Sequence, residues 1–102
     1  MARPLSHDAR LDAAGIVRYY SAEAGADVAL RFSAALRAGV EQLRAFPESG
    51  STRFASVTGI VGLRALPLQG FPYLIFYRVE GNTPMILRIL HTARDIPSSL
   101  RP

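Results

Sequence analysis

Residues 62–96 read GLRALPLQGFPYLIFYRVEGNTPMILRILHTARDI, and this stretch decides how the chain folds. With the two residues before it, it holds three apolar, β-rich runs, Ile60–Leu68, Phe71–Glu80 and Pro84–His91. The first break is Gln69-Gly70 and the second is Glu80-Gly81-Asn82-Thr83, both hairpin signals. The middle run, FPYLIFYRV, is apolar on both parities. A strand of that kind is covered on both faces and lies at the centre of its sheet. The stretch therefore predicts an antiparallel meander with its second strand in the middle.

The chain before it reads as helix. Ser6 is a candidate N-cap with Asp8 in the first turn, where the helix dipole favours an acid. Ala9, Ala13, Ile16 and Tyr20 follow at helical spacing, and Gly25 marks the end of that segment. A second helix is predicted from Asp27 to Phe46. Its stripe is Ala29, Phe32, Leu36, Gly39, Leu43 and Phe46, and its opposite face carries Asp27, Arg31, Arg37, Glu41 and Arg44. The sequence FPESG stops it, with Pro47 and Gly50 as breakers. Residues 51–58 read as a polar connection anchored by Phe54 and Val57. Residues 2–6 suit a short edge strand, since Pro4 is tolerated only at an edge. The expected fold is α+β: a short N-terminal strand and a two-helix hairpin packed on an antiparallel sheet of three to four strands. The hairpin covers one face of that sheet. The other face is expected to stay open, and an open apolar face marks a binding surface.

The chain has 102 residues, enough for one domain with a modest core, here spanning 1–102. Apolar residues are 49% and charged residues 20%, ordinary for a globular domain. No window is apolar for the length of a membrane span, so no membrane role is expected. The N-terminus, MARPLSHDARLD, does not resemble a secretory signal, and there is no Cys, which fits a cytoplasmic protein. The net charge is +4, with an isoelectric point near 10.3. All 12 basic side chains are Arg. Arg suits phosphate and carboxylate groups, which points to nucleic acid or an acidic protein segment. Codon bias of a GC-rich genome produces the same bias, and the abundant Ala and Gly agree with it.

Sequence motifs for catalysis are missing: there is no Gly-rich phosphate loop, no HExxH and no GxSxG. Only His7 and His91 offer imidazoles, at opposite ends of the chain, so neither a metal site nor a cofactor is expected. Arg64, Arg78 and Arg88 fall one on each strand. They either point singly to solvent or gather on one face to bind phosphate or carboxylate. With a two- or four-residue loop Arg78 shares a face with Met85, Leu87 and Ile89; with a three-residue loop it shares one with Arg88. After the last strand come His91, Arg94 and Asp95. A His beside an Arg at a sheet rim suits acid–base chemistry on RNA, whereas Arg94-Asp95 can equally tie the tail down. Tyr73 and Tyr77 can stack bases or pack in the core.

The order of these elements resembles the RelE/ParE toxin superfamily. The residues that carry the likeness are GLR-LP, FPYLIFYRVEG, ILRILH and ARDIP, with Phe32 and Leu36 in the second helix and FPESG after it. The match is closest to the ParE-like, plasmid-stabilisation branch. The resemblance implies a cytoplasmic toxin of a type II toxin-antitoxin system. It implies a small partner antitoxin, often of ribbon-helix-helix type, whose tail wraps the toxin as a helix or an added strand. RelE-type members cut messenger RNA on the ribosome, whereas ParE-type members inhibit DNA gyrase. Arg94 falls where the RNA cutters carry a C-terminal Arg, with His91 nearby and Arg64 on the first strand. Leu74 stands where their middle strand carries Arg, however, and no Tyr follows Arg94. These departures favour the gyrase-inhibiting branch. Arg64, Tyr73, Tyr77, Arg78, Arg88, His91 and Arg94 are the residues expected to contact target or antitoxin; the ribonuclease alternative would use Arg94, His91 and Arg64.

Overall fold

The computed structural model describes residues 4–100. Helix α1 spans His7–Glu23 and α2 spans Ala26–Ala45. Ser6 caps α1 as its sequence predicts: its Oγ accepts the Ala9 N–H at 3.0 Å and donates to the Leu87 carbonyl at 2.9 Å. Gly25 takes a positive φ of 95° between the helices, a region that an L side chain enters at a cost. A third helix follows, α3 at Arg53–Thr58. The meander comprises β1 (Arg64–Pro67), β2 (Tyr73–Glu80) and β3 (Thr83–His91), in spatial order β1-β2-β3 and antiparallel throughout. One short turn of helix, α4 at Ile96–Ser99, ends the described chain.

Both faces of the sheet carry a core. Tyr77, Ile75, Leu66 and Ile89 meet α1 and α2 through Ala9, Ile16, Phe32 and Leu43. Phe32 is fully buried and sits edge-on to Phe71 and Tyr73. Gly39 lets α2 lie close to the sheet, since a Cβ there would stand 2.9 Å from Ile75 Cδ1. Leu74, Phe76, Leu90, Leu63 and Ala65 project the other way and pack with Ile96 and Leu100, with Phe54 and Ala55 of α3 against them. Phe54 meets the Phe76 ring at 5.2 Å between centroids.

This second core corrects the expectation of an open sheet face. Residues 51–58 are not merely a connection. Residues 53–58 form α3, which with α4 seals that face. Phe54 serves as the expected anchor, whereas Val57 points outward at 61% exposure. Phe46 leaves the stripe as well: α2 ends at Ala45, and Phe46, one residue past the last helical position, turns out to 67% exposure.

The edges of the sheet are also occupied. On the β1 side, Ser51 and Ala65 exchange two backbone hydrogen bonds of 2.8 and 2.9 Å. On the β3 side the expected N-terminal strand is reduced to a parallel bridge between Leu5 and Ile86, in which Ser6 N–H donates to Ile86 and Ile86 N–H donates to Pro4; its residues 2 and 3 lie outside the described residues. The β2–β3 turn has two central residues, with Glu80 opposite Thr83 and Arg78 opposite Met85. A register shift between Phe76 and Tyr77 then pairs Tyr77 with Ile86 and Phe76 with Arg88, so Leu87 has no partner across the ladder. That extra residue brings Arg88 onto the face that Arg78 occupies, which the loop length alone would not do.

Candidate functional site

Two of the candidate residues hold the turn after α2. Tyr77 is 0% exposed, so the base-stacking reading does not fit it. Its hydroxyl accepts the Gly50 N–H at 2.8 Å and donates to the Pro47 carbonyl at 2.7 Å. Gly50 is needed because a Cβ there would fall 2.6 Å from the Tyr77 ring and hydroxyl. Arg64, opposite Tyr77 in the ladder, donates through Nη1 to the Glu48 carbonyl at 3.0 Å and the Gly50 carbonyl at 2.9 Å. The FPESG segment is thus a structural turn clasped by a phenol and a guanidinium.

Arg88 is committed in the same way. Its Nε and Nη2 donate to the two oxygens of Asp12 at 2.7 and 3.0 Å, the bidentate geometry that Arg and carboxylate favour. Its Nη1 donates to the Ser99 carbonyl at 3.0 Å. Asp12 also accepts the edge N–H of Ile89 at 2.9 Å. One ion pair therefore ties α1, the free edge of β3 and α4 together. The Asp12 hydrogen bond raises the Arg88 pKa, outweighing the opposing effect of burial. Arg78 is different: its only ionic partner among the described residues is Glu80 at 3.4 Å, with both side chains well exposed. Such a pair is worth about 0–1 kcal/mol.

The remaining candidates meet in one place. Tyr73 and His91 are cross-strand partners, with ring centroids 5.2 Å apart. With Arg94 they line a cleft of about 320 Å³ between α1 and the rim of β2 and β3. His91 Nδ1 accepts the Ala93 N–H at 3.0 Å, which leaves Nε2 as the protonated nitrogen of the neutral ring. Arg94 N–H donates to the His91 carbonyl at 3.0 Å, fixing the turn that carries both. Among the described residues no carboxylate pairs with the Arg94 guanidinium. Tyr73 packs against Phe32 and Tyr20. Burial, then Tyr20 nearby, raises its pKa above the ordinary tyrosine value, with Arg94 opposing. Its phenol therefore stays protonated at neutral pH.

The sequence-derived set is thus split. His91, Arg94 and Tyr73 share the cleft. Arg64 lines a separate hollow with Pro47, Glu48 and Asn82, so the three residues of the ribonuclease alternative do not converge. The opposite wall belongs to Leu11, Gly15 and Tyr19 of α1, which the sequence reading did not single out. Their spacing of four puts them on one strip of the helix, beside the apolar stripe and not on it. A second, larger groove of about 650 Å³ runs between α1 and α2, floored by Ala13, Val17 and Leu36 and rimmed by Arg18, Arg37 and Arg44.

A helical hairpin over a three-stranded antiparallel meander, with a cleft at one rim and a groove between the helices, defines a small domain of the α+β class. A family model described as the ParE toxin of the type II toxin-antitoxin system, parDE, matches residues 5–96. The chain belongs to this ParE toxin family. A solved structure titled as the chromosomal ParDE TA system from P. aeruginosa contains a similar chain, with a TM-score of 0.71 and 26% identity; the match covers 85% of this chain and 90% of that one. No curated protein matches the sequence. No helix among the described residues is long and apolar enough to cross a membrane.

Proposed function

We propose that this toxin acts in the cytoplasm by binding and inhibiting DNA gyrase, and that a cognate antitoxin, of ribbon-helix-helix type, neutralises it. The observation that carries this reading is the division of the arginines. Arg64 and Arg88 are spent on the chain's own carbonyls and on Asp12. What faces outward at the rim is one guanidinium, one imidazole and two phenols. That set suits recognition of a partner more than stabilisation of a phosphorane, which calls for several converging cations.

The antitoxin side rests on the groove between α1 and α2. It has an apolar floor and, at its rim, Arg18 and Arg37 beside the Glu41–Arg44 pair, which fits an amphipathic helix with acidic flanks. Strand addition is the weaker mode, because Ser51 occupies one sheet edge and Pro4–Ser6 with Asp12 occupy the other. The test is a supercoiling and cleavage assay with purified gyrase and purified toxin. Inhibition in proportion to added toxin is expected. Intact supercoiling at a large excess of toxin, with transcripts cut at the ribosomal A site in induced cells, would replace this reading with the ribonuclease one.

A further inference from the structure

Two helix glycines of this chain stand in contrasting surroundings. Gly39 has a reason inside the fold, since any Cβ would collide with Ile75. Gly15 has none. A Cβ there would meet only the end of the Arg18 side chain, at an ordinary 3.8 Å. Glycine in mid-helix is nevertheless destabilising relative to alanine. Gly15 lies between Leu11 and Tyr19 in the wall of the rim cleft. Those two side chains are large, apolar or aromatic, and 58% and 56% exposed. The missing side chain at Gly15 keeps a bay open between them, with Tyr73, His91 and Arg94 facing it.

We infer that this bay is where the toxin grips its target protein, taking an apolar side chain of the target over Gly15 while an acidic residue of the same segment pairs with Arg94. Three observations select a protein segment as the occupant. Leu11 and Tyr19 expose apolar surface that a nucleic acid backbone does not need. Tyr and Arg are the residue types that dominate binding hot spots. Arg94 is the one guanidinium in the lining of the cleft; no carboxylate pairs with it among the described residues, and Asp12 is already neutralised by Arg88, so a carboxylate is the complementary charge. The bay is separate from the α1–α2 groove, and the two sites can be perturbed independently. The inference builds on the gyrase reading for the identity of the target, but not for the location of the site.

The discriminating variants are Gly15→Ala and Gly15→Gln. Both residues are better helix formers than glycine, so neither should unfold the chain. Gly15→Ala should raise Tm by about 2–6 °C. Binding to purified gyrase should weaken several-fold for Gly15→Ala and more than tenfold for Gly15→Gln, Tyr19→Ala and Arg94→Ala. Wild-type affinity in Gly15→Gln with a raised or unchanged Tm would overturn the inference. If the wild-type toxin does not bind gyrase, the gyrase reading fails alone, and the bay is then judged by growth arrest in induced cells. Arrest lost in the Gly15 variants without transcript cleavage supports the bay; arrest at wild-type strength, or arrest accompanied by cut transcripts, overturns it. A wild-type chain that neither binds gyrase nor arrests growth removes both.

Discussion

The two faces of the sheet are covered very unequally. One lies under helices of 17 and 20 residues; the other lies under helices of 6 and 4. The first cover is built like a domain core, with fully buried Phe32, Leu43 and Tyr77. The second is a thin lid, closed by Phe54, Ile96 and Leu100 and held at its end through the Arg88 bond to Ser99. An apolar central strand thus requires two covers but does not require equal ones. It also follows that the recognition surface of this toxin is not an unfilled sheet face. The surface proposed for recognition lies at the rim, where the thick cover ends and the cleft begins.

Truncations under the two covers should differ in cost. Phe32→Ala, under the thick cover, should cost about 3–5 kcal/mol, whereas Ile96→Ala in the lid should cost about 2 kcal/mol, near the low end for such a truncation. Urea unfolding of both variants measures this; equal losses would mean that the lid is as integral as the hairpin. Arg88→Ala comes next. It leaves Asp12 partly buried without its partner and frees the lid, for a loss of about 2–3 kcal/mol, less than a fully buried pair because both groups retain some exposure. Its binding to gyrase should also weaken, because the freed Asp12 carboxylate lines the cleft and competes with the target's acidic residue for Arg94. Tyr77→Phe leaves the Gly50 N–H and the Pro47 carbonyl unpaired, at a cost of about 1–3 kcal/mol. Loosening should appear first in hydrogen exchange of the residues 46–51 turn.

The smallest effect concerns pH. Tyr73 holds its proton more tightly folded than unfolded. The unfolded chain therefore releases that proton first as pH rises past the ordinary tyrosine value near 10, and stability falls from there upward. Below that value the group contributes no pH dependence. Tyr73→Phe should flatten this alkaline loss; an unchanged slope of Tm against pH above about 10 would show that other groups cause it.

The major helices were legible from their periodic apolar stripes, and the strands from long apolar runs bounded by turn residues. The second helix announces itself by Ala29, Phe32, Leu36, Gly39 and Leu43, and the meander by Gly70 and Gly81 between apolar runs. Elements α3 and α4 were not legible, since 6 and 4 residues are too few to show a period. The bulge beside Phe76 was invisible for the opposite reason: every residue from Leu74 to Tyr77 is buried, so parity carries no information there. The roles of the arginines were beyond sequence reading altogether. Arg88 finds Asp12 at a separation of 76 residues, and nothing local distinguishes it from Arg94, which finds no carboxylate among the described residues. Gly15 could have been noticed, as a helix-breaking residue between two apolar side chains off the main stripe.

In the proposed mechanism the toxin inhibits by grasping its target at the rim and not by cutting RNA. The most direct measurement is a titration of gyrase supercoiling with wild-type toxin and with Arg94→Ala. Inhibition by the wild type, lost in Arg94→Ala at unchanged thermal stability, is the expected result. Supercoiling that is indifferent to both, with messenger RNA cleaved by the wild type alone, would contradict it.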